Sequence, residues 1–344
     1  MKVGILGATG LVGQRFIQLL DGHPWFKIAV VAASEKSAGK IYGEAAHWML
    51  SPEPPKAVAD LEVMPVNVKA LEDVDFVFSA LPSDVAGKVE EDFANAGHIV
   101  VSDTSAHRID PDVPVLIPEV NPEHLSLIEK QRKNRNWKGA IVANPNCTTN
   151  VLDISLKPIF DKFGLRSVVV STMQALSGAG FPGVASMQIT ENVIPYIEKE
   201  EEKIQVESFK ILGTPTEPAE FKLSASCNRV STLDGHLEAV FVDTLKNANP
   251  EDIAEAMESF IGLPQKLKLP TAPKKPIILR KEADRPQPRL DRDAGRGMSV
   301  VVGRIRKDPV FNGVKYMVLG HNTIRGAAGN AILSAELLKA KKIM

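Results

Sequence analysis

The segment Lys2–Leu20 reads KVGILGATGLVGQRFIQLL, and it decides the fold. Lys2–Leu6 is a short apolar run typical of a buried strand. Three glycines with the spacing GxxGxxG follow, and the apolar side chains after them recur at helical spacing. A second apolar run, Ile28–Ala33, completes a strand–helix–strand unit of roughly 30 residues, which requires a right-handed crossover between parallel strands.

Further buried-strand candidates continue this pattern along the first part of the chain. They are short apolar runs separated by turn and helix signals, namely Phe76–Ala80, Ile99–Ser102, Val115–Ile117 and Ala140–Ala143. The sequence therefore predicts an α/β fold in which residues 1–146 form a Rossmann-like doubly wound parallel sheet. Residues 322–344 have a helical pattern and are expected to return to this domain and complete it.

Residues 147–321 are predicted to form a second, α+β catalytic and dimerisation domain with a mixed sheet. Its strand candidates are longer and more alternating: Ser167–Ala175, Leu223–Val230, Leu237–Thr244, Met298–Ile305 and Tyr316–Leu319. Helices are predicted near residues 184–197 and 250–261. Because Pro264–Pro288 contains six prolines, it is interpreted as an extended loop or subunit arm, not as a central strand.

Length and composition indicate a two-domain protein with a small-molecule partner. The chain has 344 residues, and domains commonly have about 150. Its 41 Lys and Arg residues nearly balance 42 Asp and Glu residues, so no strong field attracts nucleic acid or an anionic membrane. The apolar runs are too short for a membrane span, and the chain starts directly with a strand signal, so we expect a cytoplasmic protein.

The glycine turn is a candidate dinucleotide site. Gly7 allows the tight turn, Gly10 lets backbone N–H groups approach a pyrophosphate, and Gly13 lets the helix pack on the strand. The residues between them that would line the cofactor are Thr9, Leu11 and Val12. The alternative is a packing motif without a cofactor.

The residues after Ala33 bear on the choice of dinucleotide. NAD favours an acidic side chain at the end of the second strand, which bonds the ribose hydroxyls. Here Ser34, Lys36 and Ser37 can hold a 2′-phosphate, so we expect NADP. In the alternative, this is a solvated turn in which Glu35 binds the ribose.

Cys147 is the candidate nucleophile. It lies in Asn144-Pro145-Asn146-Cys147-Thr148-Thr149-Asn150, between a buried strand and an amphipathic helix, so it is placed at a helix N-terminus. The positive end of a helix dipole stabilises a thiolate and can hold an oxyanion or a phosphate. Cys227 reads as a buried strand residue. The two cysteines are expected to be free thiols, and no zinc-ligand spacing occurs, so no metal is expected.

Five ordered motifs carry a resemblance to a known family. They are Asn146-Cys147-Thr148; Met173-Gln174-Ala175 with Ser177-Gly178-Ala179-Gly180; Asn228-Arg229-Val230; Asp234-Gly235-His236; and His321-Asn322-Thr323-Ile324-Arg325-Gly326-Ala327-Ala328-Gly329. With them the chain resembles the aspartate-semialdehyde dehydrogenases, and most closely their archaeal and fungal branch, over essentially its whole length. Archaeal malonyl-CoA reductases are similar to the same branch.

The resemblance implies a covalent reaction. The Cys147 thiolate attacks aspartyl 4-phosphate, phosphate leaves, and NADPH reduces the thioester to aspartate semialdehyde, a precursor of lysine, threonine, methionine and isoleucine. It implies that His236 is the general acid/base and that Gln174 orients the thioester.

The resemblance also implies the substrate ligands. Arg229 would bind the α-carboxylate, because a guanidinium matches a carboxylate with two hydrogen bonds. Glu200 would bind the substrate amine, and Arg108, Asn146 and Lys203 would bind phosphate. Read without the family pattern, Glu200–Lys203 is a solvated helical face and Arg229 forms a surface ion pair.

The nicotinamide would be flanked by Ser177, Gly178 and Asn322, as the resemblance implies. One departure from the family pattern stands before Arg108, where Ser102-Asp103-Thr104 replaces the expected Ser-Asn-Ala. The Asp103 carboxylate would repel phosphate unless it turns away or pairs with Arg108.

Two alternatives to the dehydrogenase remain at this stage. A malonyl-CoA reductase would keep the cysteine and the cofactor site but would bind no amine, and the acidic run from Glu200 to Glu202 favours the amino-acid substrate over it. A catalytically silent Rossmann protein that senses NADP would have an unreactive Cys147. N-acetylglutamyl-phosphate and glyceraldehyde-phosphate reductases fit the motifs less well. The family and the proline-rich arm predict a homodimer or homotetramer.

Overall fold

The computed structural model describes residues 1–311 and 313–344, and they divide into two compact units. Unit 1 comprises Met1–Leu116, His124–Pro145 and Ala327–Met344. Unit 2 comprises Ile117–Glu123 and Asn146–Gly326. The chain therefore leaves unit 1 and returns to it, which makes unit 2 largely an insertion.

Unit 1 alternates strands and helices as the sequence predicts. Its elements up to residue 145 are β1 (Lys2–Leu6), α1 (Leu11–Leu20), β2 (Lys27–Ala33), α2 (Tyr42–Ala45), α3 (Lys56–Ala59), β3 (Val63–Pro65), β4 (Phe76–Ser79), α4 (Ser83–Asn95), β5 (Ile99–Ser102), α5 (Leu127–Arg135) and β6 (Ala140–Ala143). All strand pairs are parallel, in the order β3-β2-β1-β4-β5-β6. The order reverses between β1 and β4, where the glycine turn leaves β1, and this is the usual ligand crevice of such sheets.

Unit 2 contains a mixed six-stranded sheet. Its elements are α6 (Cys147–Phe163), β7 (Leu165–Gln174), α7 (Ser186–Ile189), α8 (Glu200–Leu212), β8 (Lys222–Arg229), β9 (His236–Thr244), α9 (Pro250–Glu258), α10 (Leu263–Lys266), β10 (Ile277–Arg280), α11 (Pro288–Asp291), β11 (Val300–Lys307) and β12 (Gly313–Gly320). The strand order is β10-β11-β12-β9-β7-β8, with parallel pairs at both edges and antiparallel pairs between them. The predicted combination of a doubly wound parallel sheet with a mixed-sheet unit is confirmed.

The last helix, α12 (Gly329–Ala340), belongs to unit 1. It is buried along nearly its whole length, and its Glu336 carboxylate lies 2.8 Å from Nε2 of His23. On the sheet, Phe16 of α1 stacks on Phe78 of β4 with ring centroids 4.6 Å apart. The core of unit 1 thus joins the beginning of the chain to residues after 326.

Alternation along β9 places the functional end of unit 2. The side chains of His236, Glu238, Val240, Val242 and Thr244 are buried on one face, as period-2 patterning requires. The helix α6 packs against this strand and β12. The first residues of α6 and β9, Cys147 and His236, therefore lie at one end of the packed layer.

One predicted strand is absent. Val115–Ile117 forms only an isolated bridge between Val115 and Ala143. Pro114 and Pro118 flank the segment, and because proline has no N–H it does not support a continuing ladder.

Two predicted helices are shorter than expected. Within residues 184–197 only α7, of four residues, is helical, and apolar side chains such as Met187 and Tyr196 face solvent instead of a core. In the tail, residues 324–328 form a π-type turn with a kink at Ala327, so the helix itself starts at Gly329.

The proline-rich stretch Pro264–Pro288 is not an uninterrupted loop. It contains β10, which pairs parallel to β11 at the edge of the sheet. The prolines lie outside Ile277–Arg280, and an edge strand needs only one hydrogen-bonding side, so the stretch tolerates them. In the described residues, no helix is long and apolar enough to cross a membrane.

Candidate active site

The glycine turn of unit 1 has the geometry of an anion site. Gly7 has a φ of +78°, and a Cβ there would lie 2.4 Å from the Ala80 carbonyl oxygen. A Cβ at Gly13 would lie 2.3 Å from the Gly7 carbonyl oxygen. These two glycines are therefore required by packing. Gly10 is the N-cap of α1, and no side chain caps this helix. The first-turn N–H groups are thus available to a pyrophosphate, so the turn fits a dinucleotide.

The residues after β2 form a turn that follows the buried carboxyl end of that strand. Ser37 and Ala38 donate backbone hydrogen bonds to the carbonyl oxygen of Ser34. The side chains of Ser34 and Lys36 are exposed, and that of Ser37 is half-buried. A hydroxyl and ammonium cluster of this kind can bind a phosphate group.

Cys147 is the first residue of α6, as the sequence predicts. The side-chain oxygen of Asn146 caps the helix by accepting hydrogen bonds from the backbone N–H groups of Thr148 and Thr149. The Sγ atom of Cys147 lies 3.1 Å from Nε2 of His236, which starts β9. The structure therefore brings together the two residues expected to carry the chemistry, although they are far apart in sequence.

The ring of His236 has a defined protonation. Its Nδ1 atom accepts the backbone N–H of Ala175 at 3.1 Å, so the neutral ring carries its proton on Nε2. Burial, with the charge of Arg229 and a contribution from His321, lowers the pKa of His236 to about 3. The ring is thus neutral at physiological pH and donates from Nε2 to the Cys147 sulfur.

Arg229 and Gln174 lie at the ends of neighbouring strands in unit 2. The Nη1 atom of Arg229 donates to the Ala175 carbonyl oxygen at 2.7 Å, and its side chain is buried. Burial lowers the pKa of Arg229, whereas the charge of Cys147 opposes this effect. Gln174 is also buried, and its amide donates to Oγ1 of Thr172.

Gly178 is required by contact with this cluster. A Cβ at Gly178 would lie 2.8 Å from Nη1 of Arg229 and 3.1 Å from a ring carbon of His236. Ser177 and Asn322, which were predicted to flank the nicotinamide, are hydrogen-bonded to each other at 2.7 Å. Asn322 also accepts the backbone N–H of Gly235, so it fixes the residue before His236.

Glu200 and Lys203 lie in the first turn of α8. Glu200 is buried, so the interpretation of this stretch as a wholly solvated face is wrong for that residue. Its Oε1 atom accepts from the Asn146 amide at 3.0 Å and from Oγ1 of Thr148 at 3.3 Å. Lys203 is half-exposed, with its ammonium nitrogen 3.8 Å from Oε2 of Glu200.

Sequence reasoning missed Glu207. Its Oε2 atom accepts the backbone N–H of Asn146 at 2.5 Å, and the side chain is buried. Glu207 follows Glu200 by seven residues, which is about two helical turns, so both carboxylates lie on one face of α8. That spacing was the available signal.

Sequence reasoning also missed the support behind Cys147. The guanidinium of Arg325 forms a fully buried bidentate ion pair with Glu119, with both N–O distances 2.8 Å, and donates to Asn150 of α6. A Cβ at the next residue, Gly326, would lie 2.7 Å from Cβ of Cys147. The backbone therefore packs directly against the cysteine, and a glycine is needed there.

Arg108 belongs to unit 1, where Asp103 accompanies it. The guanidinium donates to the backbone carbonyl of Asp103 at 3.2 Å, whereas the Asp103 carboxylate accepts from the Asn144 amide at 2.7 Å. The Asn144 oxygen in turn accepts from Asn330. Burial raises the pKa of Asp103 to about 7, although Arg108 and Asn144 lower it. The carboxylate is thus bonded to Asn144 and is partly protonated near neutral pH.

The second cysteine, Cys227, is more deeply buried than Cys147. It is buried in β8, and burial raises its pKa to about 12. Neither Cys147 nor Cys227 forms a disulfide. A buried thiol with a raised pKa is inert, which agrees with the structural role predicted for Cys227.

Comparison with known proteins identifies related chains over the full length. Family models described as "Semialdehyde dehydrogenase, NAD binding domain" and "Semialdehyde dehydrogenase, dimerisation domain" match residues 2–128 and 156–325. Aspartate-semialdehyde dehydrogenase of Archaeoglobus fulgidus is 57% identical, covering 100% of this chain and 99% of its own. Malonyl CoA reductase (NADP) of Metallosphaera sedula is 45% identical, covering 99% and 97%. The crystal structure of aspartate semialdehyde dehydrogenase with NADP from Candida albicans superposes with a TM-score of 0.92 at 42% identity, covering 100% and 99%.

Proposed function

The chain belongs to the aspartate-semialdehyde dehydrogenase family, and we propose that it converts L-aspartyl 4-phosphate to L-aspartate 4-semialdehyde with NADPH. The carrying observation is the Cys147–His236 pair, with sulfur and Nε2 3.1 Å apart at the N-terminus of α6. The reaction belongs to the biosynthesis of lysine, threonine, methionine and isoleucine.

NADP is the cofactor of this family, and the residues of unit 1 fit it. We propose that the pyrophosphate lies on the turn and that the 2′-phosphate lies on the cluster after β2; the residues concerned are Gly7, Thr9, Gly10, Leu11, Val12, Gly13, Ser34, Lys36 and Ser37. Ser177, Gly178 and Asn322 would contact the nicotinamide. When bound, NADPH supplies the hydride that reduces the thioester.

The protein's own chemistry centres on Cys147. Its thiolate attacks the acyl carbon of the substrate, the carbon–oxygen bond to phosphate breaks, and a thioester and free phosphate result. His236 donates a hydrogen bond from Nε2 to the sulfur, which stabilises the thiolate both before attack and when it leaves the product. Of the acid and base roles that the resemblance implies, the ring in this state fits only the acid, because Nδ1 accepts the Ala175 N–H; the thiol proton therefore passes to solvent before attack. Gln174 would orient the thioester carbonyl from the end of β7.

The proposed substrate ligands are matched to the substrate groups by their charge. Arg229 suits the α-carboxylate because its guanidinium is buried and adjacent to the His236 ring. Glu200 suits the α-amine as a buried carboxylate next to Asn146. Arg108, Asn146 and Lys203 are the proposed phosphate ligands.

A second candidate is malonyl-CoA reduction, which the Metallosphaera relative favours. Aspartyl phosphate has an α-amine and malonyl-CoA does not, so only the aspartyl compound needs a carboxylate partner for an amine. Glu200 is present and buried with Lys203 beside it, which supports the amino-acid substrate.

The test runs the reverse reaction with purified protein, NADP, phosphate and aspartate semialdehyde, and follows NADPH absorbance. We expect phosphate-dependent NADPH formation that is lost in Cys147→Ser, with Cys227→Ser as the matched control that keeps activity. NADPH oxidation with malonyl-CoA, and no reaction with aspartate semialdehyde, would instead establish the second candidate.

We also propose that the protein is a homodimer or a homotetramer in the cytoplasm. A dimerisation-domain model matches residues 156–325. The segment 181–196 within this range exposes Phe181, Met187, Val193 and Tyr196, which is a typical composition for a subunit interface. Two cysteines that form no disulfide fit a reducing compartment.

A further inference from the structure

The N-cap of the nucleophile helix is held by a second helix. In a capping box, the third helical residue is Glu or Gln, and its side chain accepts the N-cap backbone N–H. Here the third residue of α6 is Thr149, and the N–H of Asn146 instead donates to Glu207 of α8 at 2.5 Å. A carboxylate distant in sequence thus completes the cap.

Three contacts fix Asn146 in place. Glu207 accepts its backbone N–H, Glu200 accepts its side-chain amide, and its side-chain oxygen caps α6. Asn146 directly precedes Cys147, so fixing its peptide group fixes the start of the helix from which the sulfur projects.

The charge of Glu207 also bears on the cysteine. The neighbouring Asp153, which accepts a hydrogen bond from Ser208, is fully buried, and burial, with the charge of Glu207, raises its pKa. Asp153 is thus protonated, whereas the Glu207 carboxylate accepts the backbone N–H of Asn146, a hydrogen bond that favours its anionic form. An anion that is hydrogen-bonded to the residue before Cys147 offsets part of the positive potential at the helix N-terminus. That potential stabilises a thiolate.

We propose that Glu207 is a positioning residue for Cys147, which orients the nucleophile through the backbone of Asn146 and moderates its thiolate character by its charge. The inference rests on the proposed function, because it takes Cys147 as the nucleophile. The two contributions are separable: a glutamine at 207 keeps the acceptor and removes the charge, whereas an alanine removes both.

The experiment compares Glu207→Gln, Glu207→Ala and the control Glu202→Gln, which removes a carboxylate from an exposed position of the same helix. The reverse-reaction kcat and KM are measured, together with the rate of Cys147 alkylation by iodoacetamide from pH 5 to 9. We expect Glu207→Gln to keep kcat within about threefold and Glu207→Ala to lose roughly tenfold or more in kcat with KM little changed. Both variants should shift the alkylation–pH curve to lower pH, and Glu202→Gln should not.

Two results would overturn the proposal. One is an alkylation–pH curve in Glu207→Gln that coincides with those of the wild type and Glu202→Gln; this measurement stands even if the alanine variant does not fold. The other is a kcat loss in Glu207→Gln as large as in Glu207→Ala. Slow alkylation of Cys147 in the wild-type protein would reject the proposed function itself, whereas fast alkylation with unshifted variants would reject only the role of Glu207.

Discussion

At the residue scale, the central feature is a histidine whose two nitrogens have different partners. Nδ1 of His236 accepts a backbone N–H, and Nε2 faces the cysteine sulfur. This arrangement makes His236 a neutral donor. A neutral imidazole that donates a hydrogen bond is an established way to stabilise developing negative charge.

The protonation of His236 is directly measurable by nitrogen-15 NMR of protein labelled in the histidine rings. We expect the Nε2–H tautomer with no titration between pH 5 and 8, because the pKa of His236 is lowered to about 3 by burial and by the charge of Arg229. The resonances are assigned by their loss in His236→Gln. A ring protonated on Nδ1, or one that titrates near pH 6.5, would contradict this assignment.

The sequence predicts the reactive residues better than their supports. Cys147 could be recognised from its turn-rich flank, and the resemblance added His236, Arg229 and Glu200. Glu207 and Gly326 could not be recognised in the same way, because their roles depend on contacts between residues far apart in the chain. The seven-residue spacing from Glu200 indicates that Glu207 shares its helical face, but it does not distinguish a capping carboxylate from a solvated one.

At the element scale, α6 and β9 enclose carboxyl groups behind the site. Glu238 of β9 and Asp153 of α6 are fully buried, and in the described part of the chain neither oxygen of Glu238 has a hydrogen-bond partner. Burial raises the pKa of Glu238 well above its ordinary value, and the charge of Glu200 adds to this effect. The folded protein therefore keeps this carboxyl protonated.

This protonation makes stability depend on pH in a defined direction. The unfolded chain releases the Glu238 proton near pH 4.3 and the folded chain only at higher pH, so the free energy of unfolding falls as pH rises above that value. Glu238→Gln has no proton to release. We expect the substitution to be more favourable for the free energy of unfolding at pH 8 than at pH 4. The difference should be on the order of 1–3 kcal/mol, measured by urea unfolding.

The matched control for Glu238→Gln is Glu202→Gln, which changes an exposed carboxyl and should leave the pH dependence as in the wild type. If the unfolding free energy of Glu238→Gln falls with pH as steeply as that of the wild type, Glu238 is not the group responsible.

Elements with a clear period were predictable, and those that depend on their surroundings were not. The strands of unit 1 are short apolar runs, and five of the predicted ones lie within about one residue of their observed bounds. The helix predicted for residues 184–197 was wrong over most of its length, because apolar side chains that face solvent produce the same pattern as a core helix. The edge strand β10 was hidden because prolines surround it without entering it.

At the scale of the whole molecule, the exposed apolar segment 181–196 predicts self-association. Met187 is 91% exposed and Tyr196 65% exposed, and together with Phe181 and Val193 they form an unusually apolar stretch of surface. For a chain of 37.3 kDa, we expect light scattering to give at least twice this mass. Met187→Glu should lower the mass toward that of one chain, because the interface would bury the new carboxylate without a partner and would be destabilised.

Ile109→Glu is the control for this measurement, since Ile109 is 73% exposed but lies outside the dimerisation-domain match. Its mass should equal that of the wild type. A wild-type mass of one chain, or an unchanged mass in Met187→Glu, would exclude this segment as the interface.

The return of residues 327–344 to unit 1 has a consequence for protein synthesis. A ribosome synthesises all of unit 2 before it synthesises α12. Unit 2 can therefore fold during translation, whereas unit 1, whose sheet is synthesised first, is incomplete until α12 has emerged. A premature stop codon after residue 326 would therefore spare every residue of the catalytic cysteine's own unit. It would instead damage unit 1, which would lack α12. The hydrophobic core of unit 1 would then be exposed to chaperones and proteases.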